Sequence, residues 1–334
     1  MAKKIILGVI STALCTLCFA APNAHNQLPE GFDVFPVKTK YKGDPEVPFY
    51  VRIPSQYKPG QPGLHRVLLI CKFMGGNGFV VARGGNHNEA FINLADQRGW
   101  FVVSPNFTGH GEEVMDRTKC YYYPEAYSGQ ATLDALDLIA KKYPINTDQI
   151  FAVGLSGGAQ FVHRLANDVP DRVVAVAANS SSWFDRPRPQ AKGVGWLVTV
   201  GEADPTILDC IDFADQLRSV GAMPIFRSYL GMGHGRDDRA TALDVAFFTY
   251  WDEMTKGSLN RPRTQKEKTE GMLGQQPKDM PFVGNAEEWT YVPNTPENLA
   301  KIPEENRVYL PNETLAKQWA VSGVGTETED AEIP

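Results

Sequence analysis

The chain has 334 residues, 43% of them apolar, a formal net charge of −6 and no basic cluster. That leaves room for one large α/β domain with something smaller beside it. The acidic balance gives no footing for nucleic acid, so none is expected as a partner.

The N-terminus reads as an export signal. Lys3-Lys4 make a positive start, Ile5 to Ala20 is apolar without a charge, and small residues follow at Ala20-Ala21. The apolar run is shorter than the roughly 20 residues a membrane span needs. A signal peptide over 1–20 is therefore expected, giving a secreted or periplasmic protein with no stable membrane span after cleavage. A retained N-terminal anchor is the alternative; a lipoprotein is disfavoured because Leu17 precedes Cys18. With Cys15 and Cys18 in the signal, Cys71, Cys120 and Cys210 remain, an odd set that cannot be a full disulfide framework. Cys71 sits in an apolar strand pattern, and Cys120 and Cys210 can pair only if the fold brings them together.

In the mature chain, strands are predicted near Val34–Val37 and Phe49–Ile53, then over the doubly buried run Val67–Phe73. Met74-Gly75-Gly76-Asn77-Gly78 is a glycine-rich turn with free backbone N–H groups. Asn88 caps a helix that Gly99 closes, and Trp100–Val103 is the next strand. Pro105–Ser128 is a long loop carrying the aromatic cluster Tyr121-Tyr122-Tyr123, and loops of that length are often functional. Leu133, Leu136, Ala140 and Tyr143 then fall at helical spacing before Pro144. Strands and helices alternate onward to Met254, the signature of a mainly parallel sheet with helices on both faces.

Beyond Lys256 the character changes. Arg261–Glu270 is charged and reads as a linker, and repeated prolines interrupt the rest, although Phe282, Trp289, Tyr291, Val308, Leu310 and Trp319 are apolar anchors. The expected organisation is a catalytic domain over 30–256 and a proline-rich appendage over 257–334. The appendage is irregular, with a short helix after Asn312 and an acidic tail from Thr326 that is too polar to fold.

The chemistry is concentrated in Gly154-Leu155-Ser156-Gly157-Gly158, a G-x-S-x-G motif between an apolar strand and an amphipathic helix. Such a turn holds its serine in a strained conformation with the hydroxyl clear of the sheet, and bulk at Gly154 or Gly158 would collide there. A serine hydroxyl is a weak nucleophile, so a base must take its proton and a carboxylate must orient that base. His163 is on the same helix, roughly 10 Å along its axis, which is too far. His234, in Gly231-Met232-Gly233-His234-Gly235, follows the last strand and has the right place in the chain. Gly201-Glu202-Ala203-Asp204-Pro205 supplies two carboxylates, of which Asp204 is preferred to Glu202 because it lies deeper in a loop stiffened by Pro205.

The order Ser156, Asp204, His234, together with Ile145–Ile150 leading into the elbow and Gly233-His234-Gly235, resembles the secreted α/β-hydrolase-fold serine esterases of the polyhydroxybutyrate-depolymerase-like and feruloyl-esterase-like group, with dienelactone-hydrolase-like relatives. The resemblance covers about residues 30–256. It implies cleavage of carboxylic esters through an acyl-enzyme, on small-molecule or polymer, glycan or aromatic esters. One departure stands out: where such enzymes usually carry His-Gly after the third strand, this chain has Lys72-Phe73. The oxyanion hole is expected to combine the N–H of Gly157 with that of Met74, with Phe73 and Gly75 as alternatives. Tyr122, Trp183 and His87 are candidates to line the substrate pocket. No H-E-x-x-H or Cys/His ligand spacing is present, so neither a metal nor a cofactor is expected. A serine peptidase or amidase, and a non-catalytic binding protein on the same fold, are the competing readings.

Overall fold

A computed structural model describes residues 28–108 and 114–321. The expected export signal, His25, His110 and the acidic tail lie outside the described residues. In chain order the elements begin with β1 (Phe32–Lys38), β2 (Glu46–Arg52), β3 (His65–Cys71), α1 (Gly78–Ala82), α2 (Glu89–Arg98) and β4 (Phe101–Pro105). After the long loop come α3 (Gly129–Ala140), β5 (Ile145–Leu155), α4 (Gly157–Asp168), β6 (Val173–Asn179), β7 (Gly195–Gly201), α5 (Ile207–Ser219), β8 (Ile225–Tyr229) and α6 (Asp238–Thr255). The C-terminal part adds α7 (Gln265–Glu270), β9 (Phe282–Asn285), β10 (Thr290–Pro293), α8 (Pro296–Leu299), β11 (Arg307–Leu310) and α9 (Glu313–Ala320).

The first eight strands form one sheet in the order β1-β2-β4-β3-β5-β6-β7-β8, parallel from β4 to β8 and antiparallel at β1 and β2. The apolar runs exist because both faces of this sheet are covered. Along β3, Val67, Leu69 and Cys71 enter one core while Leu68 and Ile70 enter the other. Phe151 on β5 is fully buried, edge-on to Trp100 at 5.2 Å and beneath the Arg66 guanidinium at 4.3 Å. The chain runs from β3 outward to β4, then returns across to β5. The switch therefore falls between β3 and β5, and a crevice at their carboxyl ends is where such sheets bind ligands.

Three expectations need correcting. β3 stops at Cys71, two residues early, because the chain turns at Phe73, whose carbonyl accepts from the Gly76 N–H at 3.0 Å. Arg261–Glu270 is no linker: Thr264 and Glu267 form a capping box that starts α7. Arg263, buried, pins the segment by donating to the Pro170 carbonyl at 3.1 Å. The appendage is not irregular but holds a three-stranded antiparallel sheet, β10-β9-β11. The reason is non-local pairing: four-residue strands broken by prolines show no period of their own, yet β11 lies in register on β9. Helix α9 follows Asn312, whose side chain accepts from the Leu315 N–H at 2.7 Å. It carries the fully buried Trp319, whose indole N–H reaches the Phe226 carbonyl of β8 at 2.8 Å.

Cys120 and Cys210 form no disulfide with each other, and burial pushes the Cys71 and Cys210 thiols up to about 12. Among the described residues no helix is long and apolar enough to cross a membrane.

Candidate active site

Ser156 ends the run of β5 and begins α4, with φ 55° and ψ −122°, a conformation that costs an ordinary residue of order 1–3 kcal/mol. The turn persists because its surroundings leave no other room. A Cβ on Gly154 would stand 2.3 Å from the Gly158 carbonyl, and one on Gly158 would stand 2.3 Å from the Cys71 carbonyl. The glycines thus let the elbow sit directly on the end of β3, while Asn179 of β6 accepts the Ser156 N–H at 3.0 Å.

His234 Nε2 lies 3.0 Å from Ser156 Oγ, and His234 Nδ1 lies 3.0 Å from Asp204 Oδ2. The structure therefore brings together the three residues from three separate strand ends. Asp204 is buried, and Glu202 is exposed and accepts from the Ser228 hydroxyl at 3.3 Å instead. Burial alone would raise the Asp204 carboxyl, but hydrogen bonds from the Thr206 N–H and hydroxyl, from Ser180 and from His234 outweigh it and hold it below its ordinary value. The acid is thus kept ionised where it can orient the imidazole.

The histidine loop and the acid loop are tied backbone to backbone, Glu202 N–H to the Tyr229 carbonyl at 3.0 Å and Ala203 N–H to the Met232 carbonyl at 3.0 Å. Gly201 permits this approach, since a Cβ there would meet the Met232 carbonyl at 2.0 Å. Gly233 and Gly235, which flank the histidine, have open space around them. The glycines that the loop requires are Gly231, at φ 75°, and Gly201 on the neighbouring strand, rather than the two beside the histidine.

Gly157 is the first residue of α4, so its N–H has no acceptor within the helix and forms part of the positive end of the helix dipole. Met74 and Gly75 occupy the centre of the turn closed by Phe73 and Gly76, with Gly75 at φ 74° as a type II turn demands. Among the described residues, the Met74 N–H donates to no protein acceptor. The side chain of Lys72 is buried over the Tyr121 ring at 5.2 Å, and its ammonium is held below its ordinary value by that burial.

The pocket candidates part company. Tyr122 is buried with its ring edge against Gly157, where a Cβ would come within 2.4 Å, so it is a wall of the elbow. Trp183 is exposed at φ 51°, and its carbonyl is held by the buried Arg164. His87 is exposed at φ 60°, and its carbonyl accepts from Arg236 at 2.7 Å. His163 is buried on α4: its Nδ1 lies 2.9 Å from the Ala159 carbonyl and its Nε2 accepts from the Asp185 N–H. Among the described residues, no cluster of His, Cys, Asp or Glu side chains is placed to share a metal ion.

Sequence reading missed Asn179, Ser180, Arg236 and Asp244. Ser180 bridges to the histidine loop, its hydroxyl oxygen accepting from the Gly235 N–H at 3.3 Å. Asp244 left a signal: it falls on the stripe Ala240, Leu243, Phe247 and Phe248 of α6, where a carboxylate has no place without a partner. Burial pushes the Asp244 carboxyl up to about 7, against the pull of Arg236 and the hydrogen bond from Asn179.

No protein-family model matches the sequence, and no curated protein matches it. Solved structures do. A Bacteroides ovatus structure assigned as dipeptidyl aminopeptidase IV superposes with a TM-score of 0.50 at 11% identity, over 66% of this chain and 35% of its own. A ferulic acid esterase superposes with a TM-score of 0.49 at 18% identity over 69% and 96% of the two chains. A poly(3-hydroxybutyrate) depolymerase from Bordetella parapertussis gives 0.47 at 16% identity over 71% and 92%. At such identities the likeness is one of fold. Together with the strand order, it makes this an α/β-hydrolase fold.

Proposed function

We propose that the chain is a serine carboxylic-ester hydrolase working through an acyl-enzyme. The observation that carries the reading is the hydrogen-bonded line Ser156, His234, Asp204, with both contacts at 3.0 Å. Ser156 Oγ attacks the ester carbonyl as His234 Nε2 takes its proton, and Asp204 holds the imidazole with Nδ1–H toward the carboxylate. The N–H groups of Gly157 and Met74 meet the oxyanion. The imidazolium then returns its proton to the leaving alcohol, and a water activated by the same histidine releases the acid. The exposed Trp183 offers a face for an aromatic acyl group or a sugar ring of a polymer ester.

The test is turnover of short-chain aryl esters against aminoacyl amides. Ester turnover is expected, with Ser156→Ala losing on the order of 10⁴-fold and all labelling by a fluorophosphonate. Preference for the amides would replace this reading with a peptidase. Full turnover by Ser156→Ala would end it. We also propose that the protein is exported, from the Lys-Lys, apolar, small-residue order of its first 21 residues. The intact mass of protein recovered outside the cytoplasm should lack residues 1–20 or 1–21, whereas a mass retaining them means an anchor.

A further inference from the structure

Beneath the site lies a buried pair that the reaction itself does not use. Arg236, two residues after His234, has a side chain 3% exposed, and Asp244 on α6 has one that is 0% exposed. Their closest atoms, Nη1 and Oδ2, are 3.9 Å apart. Arg236 Nη2 donates to the His87 carbonyl at 2.7 Å and to Asn88 Oδ1 at 3.0 Å, with the guanidinium over the Phe91 ring at 4.6 Å. Asp244 Oδ2 accepts from Asn179 Nδ2 at 3.0 Å. The same Asn179 accepts the Ser156 N–H on its carbonyl, and its side-chain oxygen accepts from the Thr199 hydroxyl.

These contacts close a ring. It runs from Ser156 Oγ to His234, along two peptide bonds to Arg236, across to Asp244, on to Asn179, and back to the backbone of Ser156. Both atoms that must stay within hydrogen-bond reach for proton transfer are therefore linked to one carboxylate, Ser156 through Asn179 and His234 through the charge of Arg236. Resting on the serine-hydrolase reading above, we propose that Arg236 and Asp244 are positioning residues, a couple that sets the reach of His234 onto Ser156. A guanidinium suits the task because one rigid planar group donates to the His87 carbonyl and to Asn88 while its charge faces Asp244 at 3.9 Å, which an ammonium cannot do.

Breaking a buried ion pair unsettles a fold whatever else the pair does, so the test must separate rate from stability. Asp244→Asn strands the buried guanidinium and Arg236→Gln removes the cation facing Asp244, so each should lower the melting temperature, the first more. The double variant strands none and should melt near the parent. Rates on a short aryl ester are read where circular dichroism reports a folded protein, beside Ser156→Ala. We expect the double variant to lose on the order of 10²-fold in kcat with KM little changed, as a nucleophile–base misplacement does. Its fluorophosphonate labelling rate should fall by a similar factor, and Arg236→Lys should not restore either. A double variant with parental kcat and labelling overturns the couple, whatever its melting temperature. So does a loss confined to KM. If the parent is neither active nor labelled, or Ser156→Ala turns over normally, the serine-hydrolase reading has failed first and the couple falls with it.

Discussion

Two edges of the same sheet are built on opposite terms. At the carboxyl ends of the strands, five non-glycine residues hold positive φ: Asn86, His87, Ser156, Ser180 and Trp183. Polar side chains are buried among them. At the β8 flank, where the C-terminal strands and α9 pack, the contacts are aromatic: Trp289 against Trp319 at 5.3 Å, with the Arg227 guanidinium over the Trp289 ring at 3.9 Å. Strain is thus concentrated where a hydroxyl must be presented, five such residues against the single half-buried Trp289 (φ 56°) at the flank, where packing dominates and nothing has to react. The first edge should fail in rate when altered and the second in stability.

The largest effect expected on that contrast is at Asp204. Asp204→Asn should cost about 10³- to 10⁴-fold in kcat with little change in melting temperature, because the amide no longer fixes the imidazole tautomer. Glu202→Gln should leave the rate near the parent's. A crippling Glu202→Gln would move the acid to the wrong side of the loop.

Trp319→Ala tests the other edge. It removes a fully buried indole and its bond to Phe226, at a cost of about 3–5 kcal/mol and roughly 5–15 °C in melting temperature. Ester turnover measured well below the new melting point should persist. Loss of turnover in a folded variant would make the C-terminal part a contributor to the site and dissolve the contrast.

The smallest effect is at Asp185. Burial works to raise its carboxyl, but hydrogen bonds and charge from Arg117 and Arg164 overcome that and bring it to about 2 from an ordinary 3.8. A depressed carboxyl stabilises fully above its unfolded value and ceases to do so as pH falls through the folded one. Asp185 is partly exposed, so solvent screening trims its worth to about 1–2 kcal/mol. Asp185→Asn should therefore melt lower than the parent at neutral pH. The gap should narrow below pH 4 and close near 2; a gap that persists there would point to lost packing instead.

How much of this was legible in the sequence depended on range. Local patterns carried far: the run into Ser156, its glycines, the capping Asn312, and the placing of Asp204 and His234 after successive strands. What stayed hidden depends on partners distant in the chain. Arg236 looks like one more charge in Gly235-Arg236-Asp237-Asp238, and only Asp244 makes it a buried residue. Tyr122 looks like a cleft aromatic until Gly157 is seen against its ring. The four-residue strands of the C-terminal sheet have no period to read. Thr264 and Glu267 did spell a capping box, but the charge around them suggested a linker.

The indole on β8 has a consequence for how the chain completes itself. The outer strand at the other end, β1, discourages further pairing with its own residues: Pro36 offers no N–H, and Asp33 and Lys38 are charged. β8 reads Ile-Phe-Arg-Ser-Tyr and is buried along its length, without a proline, and its one charge, Arg227, is itself buried and donates to the Val321 carbonyl at 2.8 Å after α9. Its guard is Trp319, some ninety residues later, sitting on the Phe226 carbonyl. During synthesis the whole eight-stranded sheet is made before that guard exists. Until α9 docks, one side of the molecule offers an open template to any extended chain nearby, a passing copy of itself included.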